Sequence, residues 1–262
     1  MGLNLRSLWG SVLRKLRGKH NSIRYRFIVL PKEYVKLLLW RGSGHTWIEY
    51  YAKQIDTKAA EALSATADYL DVGKEFLTLL KDKGLLPEHR LLDYGCGILR
   101  GGLQFVPYLN EGNYVGVDIS KVRLAQGRAL MREAGIDDDR YTLHYVRDCL
   151  LEELGDRQFD FVWAHAVLMH MPEEDIVEFL TSLKRHLAPG AVFYFTYFPS
   201  EKLGKVTVSR IQVRDFYYPT DYLKRLFEKA GYDFVLLPKG YQENWGLRVR
   251  TALKPSSDGR DA

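Results

Sequence analysis

The chain has 262 residues, of which 46% are hydrophobic and 27% charged, a composition typical of a globular protein that can bury a full core. Its two cysteines are too few for a disulfide framework and lack the spacing of a metal site, so we expect a reducing cytoplasm and no bound metal. No apolar run approaches the length that spans a bilayer, and arginines interrupt the N-terminus where a secretory signal would be apolar.

The net charge of +5 is distributed unevenly along the chain. Residues 1–41 contain ten Lys or Arg side chains against a single acid, Glu33, so this basic arm carries +9 and the remaining 221 residues carry −4. An enzyme that acts on nucleic acid usually has basic charge around its active face. The acidic balance outside the arm therefore disfavours a nucleic-acid acceptor.

The basic arm also has the periodicity of an amphipathic helix. Between residues 3 and 17, apolar side chains recur three and four positions apart, at Leu5, Leu8, Trp9, Val12, Leu13 and Leu16. Such a helix could lie peripherally in an anionic membrane surface, or its apolar stripe could dock on the protein's own body. The pattern leaves both possibilities open.

The rest of the chain is predicted to form a helical lead-in or cap at residues 42–84, an alternating strand–helix body at 85–254 and a disordered tail at 255–262. Strands are predicted at 90–94, 114–118, 141–146, 159–163 and 191–198, and helices at 100–109, 120–135, 172–187 and 219–231. A polar and aromatic loop is predicted at 199–218. The last two strands, at 233–237 and 247–253, are close enough in sequence to be antiparallel neighbours.

This alternation predicts a doubly wound α/β sheet, in which ligands bind beyond the carboxyl ends of the central strands. The first strand runs into Gly95 and Gly97, which let the backbone turn sharply and approach a ligand closely. Asp118 ends the second strand and could accept hydrogen bonds from both hydroxyls of a ribose. Asp148 follows the third strand and could accept from an adenine amino group. These strand ends, taken in order, predict a nucleoside pocket.

Over roughly residues 70–253 the chain resembles the class I S-adenosylmethionine-dependent methyltransferases, of the methyltransferase-domain type that acts on small molecules. The matching segments are LLDYGCG (91–97), YVGVDIS (114–120), RDCLLEE (147–153), FDFVWAHAVLMHMP (159–172) and LKRHLAPGAVFYF (183–195). The resemblance implies a Rossmann-like sheet of seven mostly parallel strands in the order 3-2-1-4-5-7-6, with strand 7 antiparallel. That order agrees with the predicted terminal hairpin.

The resemblance also implies S-adenosylmethionine as the cofactor and a set of residues that bind it. Asp93, Gly95 and Gly97 would surround the methionine part of the cofactor. Asp118 would hold the ribose, and Asp148 with Cys149 would hold the adenine. The other positions that the resemblance assigns to the cofactor are Cys96, Ile119 and Ala164.

His165, two residues past the fourth predicted strand, is the candidate catalytic residue. A general base is needed only when the acceptor is protonated at neutral pH, as a hydroxyl is. His165 could equally be a structural histidine that bonds backbone, and the same holds for His170. Aromatic side chains with an arginine could hold an oxygen-rich or anionic acceptor, or they could be packing that closes a lid; the candidates are Tyr51, His170, Tyr197, Arg210 and Tyr217.

We therefore predict a cytoplasmic S-adenosylmethionine-dependent methyltransferase that acts on a small molecule, a saccharide or a lipid-linked acceptor, with oxygen as the favoured target. The position after the fourth strand lacks the Asn/Asp-Pro-Pro-aromatic motif of enzymes that methylate amino groups of nucleic acids. Two alternatives remain. One is an RNA methyltransferase that binds its substrate through the basic arm, and the other is a non-catalytic module that binds the nucleoside.

Overall fold

The computed structural model describes residues 42–44, 46–61, 67–199, 206–209, 212–237 and 248–255, with the single positions 35 and 39. The predicted arm helix at 3–17 and residues 256–262 of the predicted tail lie outside the described residues. No helix within these described ranges combines the length and the apolar character that crossing a bilayer requires.

Two of the described helices, α1 (Trp47–Glu61) and α2 (Ala67–Asp82), precede the alternating body. The other described helices are α3 (Gly102–Tyr108), α4 (Lys121–Glu133), α5 (Glu173–Leu183) and α6 (Thr220–Lys229). The described strands are β1 (Leu91–Tyr94), β2 (Tyr114–Asp118), β3 (Tyr141–Tyr145), β4 (Phe159–Ala164), β5 (Leu187–Pro199), β6 (Val206–Ser209), β7 (Gln212–Tyr218), β8 (Tyr232–Val235) and β9 (Arg248–Pro255). The last strand therefore includes Pro255, the first residue of the predicted tail.

The predicted order is confirmed for the seven predicted strands, but the prediction of seven strands is wrong, because the described sheet has nine. The strands β3-β2-β1-β4-β5 are parallel neighbours, and β9 pairs antiparallel with β5 and with β8. Among the seven strands that the sequence predicts, this is the order 3-2-1-4-5-7-6 with the seventh antiparallel. Because β1 lies between β2 and β4, the chain reverses direction across the sheet there, and a crevice opens at the carboxyl ends of these strands.

The predicted loop at 199–218 is wrong, because two further strands occupy most of it. β6 and β7 form an antiparallel hairpin, and the end of β7 pairs parallel with the end of β5, at Phe198 with Tyr217. The residues Val206, Thr207 and Val208 have the β-branched character that favours strands. β5 also runs longer than predicted, and its last residues gain a partner from this hairpin.

The core has two layers, one on each face of the sheet. Alternate strand residues such as Leu92 and Val162 pack with Phe179 and Phe227 of α5 and α6. On the other face, Leu91 and Phe161 are in the cluster that includes residues of α2, α3 and α4. Helix α1 forms a third, smaller cluster through Trp47, Tyr50, Tyr51 and Ile55, which packs against Ile119 at the end of β2. It therefore lies at the carboxyl edge of the sheet.

Candidate cofactor and acceptor site

A cavity of about 310 Å³ lies at the carboxyl ends of β1, β2 and β4. Its floor comes from the strand ends and the loops that follow them, and its roof comes from α1 and α2. The residues that line it are Trp47, Ile48, Tyr51, Ile55, Val72, Phe76, Asp93, Tyr94, Gly95, Cys96, Gly97, Arg100, Gly101, Val117, Asp118, Ile119, Arg123, Val146, Trp163, His165, Ala166, Val167, His170 and Met171. The cavity thus joins the predicted cofactor residues of β1 and β2 with the predicted catalytic residue after β4.

The turn after β1 depends on glycine. Gly95 and Gly97 have φ angles of +76° and +58°, in the left-handed region that favours glycine. A Cβ atom on Gly95 would lie 2.4 Å from Cγ2 of Val167, so a side chain there would collide with the loop after β4. The backbone N–H groups of Gly95 and Cys96 both donate to the carbonyl of Val117, which ties this turn to β2.

Asp118 is buried at the end of β2 and is held by backbone. One carboxylate oxygen accepts from the N–H of Gly97 at 2.9 Å, and the other accepts from the N–H of Ser120 at 2.8 Å. Burial raises the pKa of Asp118, while nearby Arg123 and these two hydrogen bonds lower it. Each carboxylate oxygen has two lone pairs, so Asp118 can still accept from a diol such as a ribose.

Asp93 is a second buried carboxyl, at the end of β1. Its Oδ2 accepts from the hydroxyl of Tyr114 at 2.7 Å. Burial raises the pKa of Asp93 to about 7, against the lowering effect of that hydrogen bond. A cation beside Asp93 would favour its ionised form. Asp93 is therefore suited to receive a ligand's ammonium group.

His165 lies on the cavity wall beside Arg100. Nη2 of Arg100 is 3.1 Å from Nδ1 of His165. The guanidinium carbon of Arg100 also lies 5.0 Å from the centre of the Phe76 ring, which itself lies 4.4 Å from the His165 ring. The imidazole also stacks on the ring of Trp163, with the two ring centres 5.9 Å apart. These contacts fix the imidazole in one orientation.

Helix α1 is fastened over the cavity by aromatic and polar contacts. Nε1 of Trp47 donates to the carbonyl of His170 at 2.8 Å, and the rings of Tyr51 and His170 stack at 5.0 Å. The hydroxyl of Ser120 hydrogen-bonds the carboxylate of Asp56, which joins α1 to the end of β2. A ligand that touches Asp118 would therefore lie directly beneath a helix anchored to the same loop.

Some predicted residues do not line the cavity. Asp148 accepts from the N–H of Leu150 in its own turn at 2.9 Å, and Cys149 and Ala164 are fully buried. Tyr197 is buried as well, and its hydroxyl is bonded to Thr220 at 2.8 Å. Tyr217 stacks on Phe198, while Arg210 lies outside the described residues. Their assignment to cofactor or acceptor stays a prediction.

The structure adds residues that sequence reasoning missed. Tyr114 starts β2, yet its hydroxyl reaches Asp93 on the neighbouring strand. Arg100 was visible inside the glycine-rich segment, but its contact with His165 spans 65 positions. Burial also raises the pKa of the Cys96 thiol well above its usual value, so Cys96 is no nucleophile at neutral pH.

Comparison with known sequences agrees with this geometry. Residues 92–193 match the family described as Methyltransferase domain, a segment that contains Asp93, the glycine turn, Asp118 and His165. A probable tocopherol O-methyltransferase, chloroplastic, of Oryza sativa subsp. japonica is 32% identical over 148 residues, which cover 51% of this chain and 40% of that protein. The ubiquinone biosynthesis O-methyltransferase of Hahella chejuensis (strain KCTC 2396) is 28% identical over 186 residues, which cover 69% of this chain and 63% of that protein. The chain thus spans less than two thirds of the length of either relative.

Solved structures share the fold at low identity. The magnesium protoporphyrin IX methyltransferase of Synechocystis PCC 6803 with bound SAM has a TM-score of 0.59 at 13% identity, covering 80% of this chain and 98% of that one. The DhpI-SAM-HEP complex has a TM-score of 0.60 at 18% identity, and the match covers 80% of this chain and 99% of that one. These comparisons agree with the fold and the cavity: residues 92–193 match a methyltransferase domain, and the described sheet has the fold of structures solved with bound SAM.

Proposed function

We propose that the protein binds S-adenosylmethionine in this cavity and transfers a methyl group to an oxygen atom of a small-molecule acceptor. The observation that carries the proposal is the position of Asp118, whose two oxygens are anchored on backbone N–H groups at the edge of a cavity that His165 also lines. The relatives described as O-methyltransferases support oxygen as the target.

The residues present fit the cofactor. S-adenosylmethionine supplies a methyl group that its sulfonium has already activated, so the protein must mainly align the reacting atoms. Asp118 would accept the ribose hydroxyls, and Asp93 would accept the ammonium group as an ionised carboxylate. The glycine turn lets the ligand approach the backbone, and the side chains of α1 exclude water from above. Two buried acids with raised pKa values suit a ligand that brings positive charge to the site.

The walls of the cavity support an acceptor with apolar or aromatic surface. Trp47, Ile55, Phe76, Trp163 and Met171 all line it. Relatives named for tocopherol and ubiquinone biosynthesis support an acceptor of this kind, either free or linked to a lipid or saccharide. We assign no nucleic-acid acceptor, because the chain outside the arm is net acidic.

The basic arm supports a further part of the proposal, which is peripheral contact of residues 3–17 with an anionic membrane surface from the cytoplasmic side. The support is a charge of +9 over 41 residues combined with the apolar stripe of the arm. Cosedimentation with vesicles of neutral lipid, and with vesicles that contain an anionic lipid, tests it. We expect binding to the anionic vesicles that Arg14→Glu with Lys15→Glu removes, and equal recovery with both vesicle types would contradict it.

Calorimetric titration of S-adenosylmethionine and S-adenosylhomocysteine tests the cofactor site. Asp118→Asn should weaken both ligands by about 10- to 100-fold, since hydrogen bonds to a charged acceptor contribute roughly 1.5–3 kcal/mol. Asp139→Asn is the matched control, because Asp139 is exposed and lies just before β3 begins, at the edge of the sheet opposite the carboxyl ends of the strands. Equal binding by all three proteins would contradict the assignment of Asp118.

An acceptor screen with methyl-labelled cofactor then separates the candidate functions. Label in an organic-soluble or small polar product supports the proposal. Label in RNA, at a rate that falls steeply with salt, would instead support the RNA methyltransferase. Tight cofactor binding with no turnover on any extract would indicate a nucleoside-binding module.

A further inference from the structure

The contact between Arg100 and His165 determines which nitrogen of the imidazole bears the proton. A guanidinium has only donors, so Nδ1 of His165 must be the acceptor of the 3.1 Å contact. A neutral imidazole whose Nδ1 accepts has its proton on Nε2. His165 therefore acts as a hydrogen-bond donor at Nε2.

This state conflicts with a role for His165 as a general base. Nε2 already bears a proton, and protonation of Nδ1 would break the bond from Arg100 and place two cations side by side. A flip of the ring would place Cδ2 instead of Nδ1 against Arg100 and lose this hydrogen bond, and the rings of Phe76 and Trp163 pack against the imidazole and oppose it. Arg100 gives this wall a positive charge, which also lowers the pKa of nearby Asp93, and His165 gives it a fixed donor.

We propose that Arg100 fixes His165 as an Nε2 donor, and that the pair receives an acceptor whose methylated oxygen is already an anion, as in a carboxylate. This proposal rests on the proposed function and specifies its substrate class. Arg100 and His165 bind and orient the acceptor, and no side chain has to remove a proton from it.

The step balances without a base. One carboxylate oxygen forms the new bond to the methyl carbon, while the carbon–sulfur bond breaks and its electron pair stays on sulfur. The negative charge of the acceptor and the positive charge of the sulfonium are both lost, and the products are a methyl ester and S-adenosylhomocysteine. No proton is released. A hydroxyl acceptor would release one proton per turnover and would need a base such as His170, which lines the same cavity.

The tautomer can be measured directly by nitrogen NMR of protein labelled with 15N-histidine. His165→Gln identifies the signals of His165 among those of the seven histidines. At pH 7.5, with and without S-adenosylhomocysteine, we expect an unprotonated Nδ1 and a protonated Nε2. In Arg100→Met we expect a mixture of the two neutral tautomers. A wild-type ring protonated on Nδ1, alone or as the imidazolium, would overturn the proposal. This readout needs no turnover, so it tests the tautomer of His165 even if the proposed function fails.

The substrate class is tested with benzoate and benzyl alcohol as probes on the complex with S-adenosylhomocysteine. Benzoate should shift the His165 Nε2 signal at concentrations about tenfold lower than benzyl alcohol, and Arg100→Gln should remove that difference, since a charge-assisted bond is about twice as strong as a neutral one. An equal response to both probes, including no response to either, would overturn the anionic acceptor.

A control separates the acceptor from the cofactor's own carboxylate. Because Arg100 lowers the pKa of Asp93, which is about 7, the titrations are made at pH 9, where Asp93 is ionised in the wild type. There, Arg100→Gln should leave the affinities for S-adenosylhomocysteine and for 5′-methylthioadenosine, which lacks the amino-acid part, unchanged. If the variant weakened S-adenosylhomocysteine alone, Arg100 would bind the cofactor, and the assignment to the acceptor would fall.

Discussion

Replacing Asp93 by Asn should stabilise the ligand-free protein above neutral pH and at the same time weaken cofactor binding. Asp93 is 4% exposed, and burial raises its pKa from the usual 3.8 to about 7. The folded protein therefore holds this proton more tightly than the unfolded chain does. The resulting contribution to stability is fully present below pH 3.8 and is lost as the pH rises through about 7.

The size of the effect follows from the shift. Three pKa units correspond to about 4 kcal/mol, at roughly 1.4 kcal/mol per unit. Asn cannot ionise, and its carbonyl can still accept from the hydroxyl of Tyr114, so Asp93→Asn keeps the stability that the wild type loses. We expect the advantage of the variant to grow by about 3 kcal/mol between pH 5 and pH 8. For a protein of this size that is on the order of 5–10 °C in Tm.

The assay is urea unfolding of ligand-free wild type and Asp93→Asn at pH 5, 6.5 and 8, followed by tryptophan fluorescence. Asp139→Asn, an exposed Asp-to-Asn change, is the control and should show no growing advantage. Titration with S-adenosylhomocysteine at pH 8 should show at least a tenfold loss of affinity in Asp93→Asn, because the ammonium group loses a charged partner. If the advantage of Asp93→Asn over the wild type were constant with pH, or if the variant were less stable at pH 8, the claim that ionisation of the buried Asp93 destabilises the folded protein would be refuted.

Three further substitutions probe the architecture of the site. Gly95→Ala should lower the free energy of unfolding, measured in urea, by about 1–3 kcal/mol more than Gly112→Ala does. Both glycines have a positive φ, but only Gly95 lacks room for a Cβ. Tyr114→Phe should raise the pKa of Asp93 further, because the hydroxyl stabilises the ionised form, so cofactor binding should shift to higher pH in calorimetric titrations. Trp47→Phe should cost about 0.5–1.5 kcal/mol in urea unfolding, because it leaves a backbone carbonyl without its indole donor.

Their controls are matched in chemistry. If Gly95→Ala and Gly112→Ala lost the same free energy of unfolding, the side chain of Val167 would have to move away from the new Cβ at no cost in stability. Tyr141→Phe removes a hydroxyl bonded to Asp138 near the surface and should leave cofactor binding unchanged; a pH shift there equal to that of Tyr114→Phe would contradict the local explanation. An unchanged midpoint in Trp47→Phe would indicate that α1 is held by ring packing alone.

The sequence by itself determined the parallel sheet and the strand ends that carry the glycine turn and Asp118. Both signals are local: apolar runs of strand length mark buried strands, and glycine marks a backbone conformation that other residues avoid. The terminal hairpin was also predictable, because its two strands are near in sequence. Asp148 shows the limit of this reasoning, since a strand-end acid can equally bond its own turn, as its contact with the N–H of Leu150 illustrates.

Only the tertiary structure decided which side chains meet. The β6–β7 hairpin is tied into the sheet by its pairing with the end of β5, a contact that no local pattern encodes. Tyr114 on β2 reaches Asp93 on the neighbouring strand β1, and Arg100 reaches His165 across 65 positions. Such contacts arise from packing between elements that are distant in sequence, and their geometry, rather than the identity of the residues, sets the pKa of Asp93 and the tautomer of His165.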